Sequence, residues 1–295
     1  MAEPSEPLVR QPAWAGKFYP ADPGECRALA RSYTNVSISE ESTRWTGGVV
    51  PHAGWVCSGA IAGLTFAAMA RSDPPEVVVI FGAIHTPLPC SQSVLDSFSR
   101  WGFPGDACQI QVELRRKMLE SGGLFRADDL FHRTEHAVEV ELPLVRSVWP
   151  GAAVIPVEVP ADERAVAAGK AAAAVVAAAG IRAVYLASSD LTHYGPAYRF
   201  TPAGVGLQAL QWARQNDAML IDRILRMQAE AIVPEVRARF SACGAGAIAA
   251  MLAACREMGA SRAKLLRHAN SYETLAAVAP QAPDNAVGYA SIVVG

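Results

Sequence analysis

The apolar positions of this chain fall into two periods that alternate along most of its length. Short runs over 48–50, 75–81, 152–159 and 183–187 carry few polar interruptions and many β-branched residues, the signature of strands buried on both faces. Between them lie amphipathic or alanine-rich stretches that predict helices over 21–33, 59–70, 112–121, 161–179, 208–227, 232–240 and 247–258. Gly180 is placed to close the fourth of these. Pro156 argues against a central position for its strand. Residues 86–112, broken by Pro87, Pro89 and Pro104, predict irregular loops with short strands, a small antiparallel insertion. Strands over 263–267 and 287–294 close the pattern, with 270–273 read as a loop. The alternation shows no linker and no repeat. It predicts one α/β domain over 10–295, a mixed central sheet flanked by helices on both faces, after a disordered lead-in over 1–9.

Chemistry-bearing residues gather where the buried runs stop. The run ending at Val50 continues as Pro51-His52-Ala53-Gly54, and the one ending at Phe81 as Gly82-Ala83-Ile84-His85. Open α/β sheets bind ligands at the carboxyl ends of their strands, so two histidines placed this way can converge in one crevice. The run over 183–187 leads into Ser188-Ser189-Asp190-Leu191-Thr192-His193. Asp190 either orients His193 across one turn, as a general acid/base pair, or caps that turn. Cys243 precedes the helix over 247–258, where the backbone dipole favours its thiolate. Cys57, Cys90, Cys108 and Cys255 read as small core residues. Around His136, Glu135, Glu139 and Glu141 are either metal ligands or acidic residues of a helix N-terminus. His132 reads as exposed or structural. The segment 10–20, dense in aromatics, is a packed loop whose Arg10 and Tyr19 either anchor the core or line the site.

Composition narrows the function classes. A net charge of −2 with a pI near 6.3 gives no broad basic surface, which disfavours nucleic acid as a partner. Six cysteines without a CxxC pair disfavour a zinc ribbon or a disulfide scaffold, and free thiols suit a reducing cytoplasm. The first nine residues contain no apolar signal core. The alanine-rich stretch 165–184 carries Lys170 and Arg182 and reads as a buried helix running into a strand, not a membrane span.

Seven segments, in order, resemble the Memo family, the AmmeMemoRadiSam system protein B group of bacteria. They are Arg10 with Ala15-Gly16-Lys17-Phe18-Tyr19-Pro20; Pro51-His52-Ala53-Gly54; Gly82 with His85; Glu135-His136 with Glu139 and Leu142-Pro143; Ser188-Ser189-Asp190 with His193; Cys243-Gly244; and Gly288-Tyr289-Ala290. That family is similar in fold to the class III extradiol dioxygenases. The resemblance implies a metal on His52, His85 and Cys243, with His193 and Asp190 as catalytic residues and Trp14, Tyr19, His136 and Tyr194 contacting substrate. Two departures stand out. The family commonly has Gly-Pro-Ser-His where this chain has Gly82-Ala83-Ile84-His85, and Gly244-Ala245-Gly246 after Cys243 is expected to open the pocket.

A thiolate in place of the dioxygenase carboxylate makes the implied site softer, so Cu(I) or zinc joins Fe(II) as an expected metal. The leading expectation is a non-haem iron oxidoreductase using O₂ on a small aromatic or phenolic molecule. The alternatives are a cleft that binds a phosphopeptide or anion without turnover, and copper or iron sequestration.

Overall fold

The computed structural model describes residues 8–38, 44–280 and 282–295. Most of the lead-in expected over 1–9 lies outside the described residues. Its last residue does not fit that reading, since Val9 begins a strand. In chain order the elements are β1 (Val9–Arg10), α1 (Pro23–Thr34), β2 (Gly47–Val50), α2 (Trp55–Met69), β3 (Val77–Ala83), β4 (Ser93–Leu95), β5 (Arg100–Phe103), β6 (Asp106–Gln109), α3 (Val112–Leu119) and β7 (Phe125–Ala127). The second half adds α4 (Leu142–Val148), β8 (Ala153–Val159), α5 (Arg164–Ala178), β9 (Ala183–Ser188), β10 (His193–Tyr194), α6 (Leu207–Leu225), α7 (Ala229–Arg239), α8 (Ala245–Glu257), β11 (Ala263–Asn270), α9 (Ser271–Leu275) and β12 (Ala286–Val294).

The main sheet runs β10-β12-β2-β9-β3-β8-β4-β7, with β11 also paired to β12. Its centre, β2-β9-β3-β8, is parallel, and antiparallel strands flank it. The mixed sheet expected from the pattern is therefore present. Period-two alternation divides the core: Val77, Val79 and Phe81 face the layer of α3, α5, α7 and α8, while Val78 and Ile80 face that of α1, α2 and α4. The insertion is a small sheet, β1-β5-β6, in which β5 and β6 are antiparallel and β1 adds in parallel.

Local rules account for most boundaries. Asp22 Oδ1 accepts the N–H groups of Gly24 and Glu25 at 2.8 Å, and Pro23 sets the first turn of α1. Gly180, at φ +66°, ends α5. Three expectations need correction. Helix α2 begins at Trp55, directly after the Pro51–Gly54 turn. Residues 271–275, expected as loop, form α9 through a capping box between Asn270 and Glu273. Strand β8 lies inside the sheet despite Pro156. Beside it, β4 pairs only Val94 with Glu158 and a lone bridge joins Ile110 to Val154, so no ladder partner is lost between them. No helix among the described residues is long and apolar enough to cross a membrane.

Candidate metal centre

Parallel register levels three strand ends. Ser188 of β9 is paired with Val50 of β2 on one side and Gly82 of β3 on the other. His52, Asp190 and His85 follow within three residues of that row and emerge together at the carboxyl edge of the sheet. The turn before α8 brings Cys243 to the same place. Its N–H bonds the Asp190 carbonyl, and the next residue, Gly244, donates to Ser189 Oγ at 2.9 Å. A Cβ on Gly244 would lie 2.6 Å from Ser189 Cβ, and one on Gly246 would lie 2.1 Å from the Pro160 carbonyl. These glycines therefore let α8 seat against the strand ends. They do not open the pocket, as the sequence suggested.

One donor atom each from His52, His85 and Cys243 lies within 4.8 Å of the others. Cys243 Sγ is 3.2 Å from His52 Nε2, and a ring nitrogen of His85 lies within 4.8 Å of both. A tetrahedral centre with bonds of about 2.0–2.3 Å spaces its ligand atoms by roughly 3.3–3.8 Å, close to this arrangement. The far side of each imidazole is held. His52 Nδ1 is 2.9 Å from Ser188 Oγ, and His85 Nδ1 is 2.8 Å from Glu135 Oε1. Metal-ligating histidines carry such outer partners, which fix tautomer and ring orientation. The donor set thus fits a borderline-soft cation such as Fe(II), zinc or Cu(I).

Electrostatics set the two histidines apart. Burial, reinforced by His136 and His85, holds the His52 pKa well below its usual value, so His52 is neutral and ready to ligate. Burial also opposes charge on His85, but the neighbouring Cys243 sulfur and the Glu135 carboxylate, which accepts its Nδ1–H, outweigh it and raise its pKa to about 10. Glu135 is held far below the carboxylate range. Burial works against this, and the hydrogen bonds from His136 and His85 overcome it.

His85, Glu135 and His136 form a second group of potential ligand atoms. Glu135, however, already accepts four N–H groups: His85 N on Oε2, and His85 Nδ1, His136 N and Ala137 N on Oε1. Its lone pairs are committed, so it orients His85. Residues 135–138 are not helical; only residues from Glu139 onward are. Glu135 and Glu139 therefore do not share a helix face, and each has its own task. Glu139, fully buried, accepts Arg10 Nη1, the N–H groups of Ala13 and Trp14 at 2.9 and 2.8 Å, and the Tyr19 hydroxyl at 2.8 Å. It ties the aromatic N-terminal loop to the segment that carries Glu135 and His136.

A cleft of about 370 Å³ opens over the centre, lined by Phe18, His52, His85, His136, Asp190 and His193 among others. His136 stacks on His85 at 4.4 Å between centroids. Of the residues expected to contact substrate, His136 lines the cleft and three do not. Tyr19 is buried with its hydroxyl on Glu139. Tyr194 is buried beside Phe200 and Trp212, its hydroxyl on the Gly204 carbonyl. Trp14 stands behind the cleft wall, packed on Phe18 and His136.

Asp190 does not orient His193. Its Oδ1 accepts the N–H groups of His52 and Ala53 at 2.8 and 3.2 Å and so fixes the turn that presents His52. Burial raises its pKa, with nearby His193 acting in the opposite direction. His193 Nδ1 instead bonds the Leu191 carbonyl at 3.1 Å. His132 is fully buried, with Nε2 on the Val94 carbonyl, and burial pushes its pKa down to about 4. Cys57, read as a core residue, lines the cleft and hydrogen-bonds Tyr289. Sequence alone gave Ser188 and Phe18 no specific task, although Ser188 stands at a strand end beside Asp190 and Phe18 in the aromatic loop.

Comparison with known proteins gives the family. The family model described as Memo-like protein matches residues 10–293. A MEMO1 family protein of Methanosarcina mazei is 34% identical over 294 residues, covering 97% of this chain and 99% of the relative. One from Methanosarcina barkeri is 32% identical over 97% of this chain and its own full length, and one from Pyrococcus abyssi is 31% identical over 97% and 99%. The chain belongs to the Memo family.

Proposed function

We propose that this protein is a metal-dependent oxidoreductase that holds Fe(II) on His52, His85 and Cys243 and acts with O₂ on a small phenolic molecule. One observation carries the reading: two imidazoles that line an open cleft, each anchored on its far nitrogen, converge on one thiol. The metal would supply Lewis acidity toward a phenol oxygen and a redox partner for O₂.

The chain's own residues supply the rest. With Nδ1–H donated to the Leu191 carbonyl, His193 presents Nε2 as an acceptor and takes the phenol proton. Asp190 holds the His52 turn, a positioning role. His136 and Phe18, 4.8 Å apart between centroids and tilted 49° to each other, offer aromatic contacts to a ring in the cleft. A reduced thiolate at the centre suits a reducing compartment such as the cytoplasm.

The test is oxygen uptake by anaerobically iron-loaded protein with a panel of catechols. His193→Ala should keep its metal and lose roughly 10²–10⁴-fold in turnover. A fully active variant would sink the base assignment. The soft Cys243 donor favours a second reading, Cu(I) or iron holding without turnover, which predicts tight metal binding and no oxygen uptake with any phenol.

A further inference from the structure

Cys243 and His193 also line a second pocket of about 550 Å³. Its walls are Phe200, Val236, Phe240 and Ala242, with Tyr198 and Arg199 at the side. His193 and Tyr198 line both spaces, so the apolar chamber and the cleft meet at the proposed base. We propose that this chamber receives an apolar arm of the substrate, so that the molecule bound is a phenol with a hydrocarbon extension and not a bare ring. The proposal rests on the metal-centred reading of the cleft.

Two independent features of the backbone support it. Phe240 caps α7 in the left-handed conformation, φ +53°, the place where helices ordinarily use glycine. Its ring is nevertheless 65% exposed and stands 5.5 Å from Phe200, forming the outer wall of the chamber. A large aromatic is neither the comfortable residue for that backbone nor a buried one, so core packing does not explain it. Arg199, also left-handed at φ +55°, lies in the turn between Tyr198 and Phe200, both of which line the chamber. Strained residues persist where the surroundings hold them and cluster at ligand sites. Here two of them shape the same cavity.

The occupant follows from continuity and chemistry. The chamber adjoins the thiol and His193, and most of its lining is aromatic or aliphatic. A methylene moved from water into such a space is worth about fourfold in affinity.

The experiment is calorimetric titration of anaerobic Fe(II)-loaded wild type and Phe240→Gly with catechol and 4-hexylcatechol. In the wild type the hexyl compound should bind at least tenfold tighter than catechol. In Phe240→Gly that ratio should fall below about twofold, while Tm stays level or rises because glycine relieves the left-handed position. An unchanged ratio in the variant, no hexyl advantage in the wild type, or a lower Tm in the variant would overturn the proposal. If neither catechol binds, the phenol reading of the cleft fails and the neutral fluorophore N-phenyl-1-naphthylamine decides on the chamber alone. Saturable fluorescence enhancement lost in Phe240→Gly would support the chamber, and equal or absent enhancement would overturn it.

Discussion

Ser188 Oγ lies 2.9 Å from His52 Nδ1 and 2.5 Å from the Ala137 carbonyl. A hydroxyl has one proton to give, and the short contact to Ala137 takes it. His52 must then donate from Nδ1, which leaves the Nε2 lone pair facing Cys243. Replacing Ser188 by Ala removes this restriction. The variant should show mixed His52 tautomers by ¹⁵N NMR in place of a single Nδ1–H form, and about tenfold weaker metal binding. Burying the unpartnered carbonyl and ring nitrogen should cost about 1–3 kcal/mol of stability. An unchanged tautomer would show that Ser188 does not set it.

Glu135 plays the matching part for His85, through a carboxylate that accepts four N–H groups. In Glu135→Gln one oxygen becomes a donor facing donors, so metal affinity should fall roughly 10–100-fold in a competition assay.

The same pair gives a pH dependence in the metal-free protein. The folded His85 pKa of about 10 lies above its ordinary value near 6.5, so its contribution is full below pH 6.5 and is lost as pH rises to about 10. Denaturation midpoints should therefore fall more between pH 6.5 and 10 in the wild type than in Glu135→Gln. A smaller fall in the wild type would contradict the assignment. Because the metal displaces that proton, its apparent affinity should also climb with pH across this window.

Arg10 and Glu139 are both buried, and Arg10 further bonds the carbonyls of His132 and Glu135 at 3.0 and 2.8 Å. Arg10→Ala leaves a buried carboxylate without its counter-charge, which should cost about 3–5 kcal/mol in urea unfolding. It should also loosen the loop carrying Trp14 and Phe18, so that trypsin cuts faster after Lys17, whose side chain is already exposed. A loss below about 1 kcal/mol would mean the pair is not structural.

What the sequence revealed follows a physical divide. Buried strands announce themselves by apolar runs, so the order of residues alone places those just beyond Val50, Phe81 and Ala187 at one sheet edge. Side-chain partnerships across that edge could not be read. Asp190 and His193 are three residues apart, yet the carboxylate turns to the amides of His52 and Ala53, because unpaired N–H groups in the buried turn compete for it. Tyr194 sits beside His193 but points inward, since neighbouring residues of a strand face opposite ways, and Tyr19 is drawn inward by its hydroxyl's bond to Glu139. The non-helical path of 135–138 was equally hidden, because its acidic spacing also suits a helix start.

The measurement that tests the central claim most directly is metal content after purification without oxygen, for the wild type and Cys243→Ala. The account predicts about one iron per wild-type chain and a large loss in the variant, with both proteins folded. Equal metal in the two proteins, or none in either after loading with Fe(II), zinc and Cu(I), would contradict a centre built on His52, His85 and Cys243.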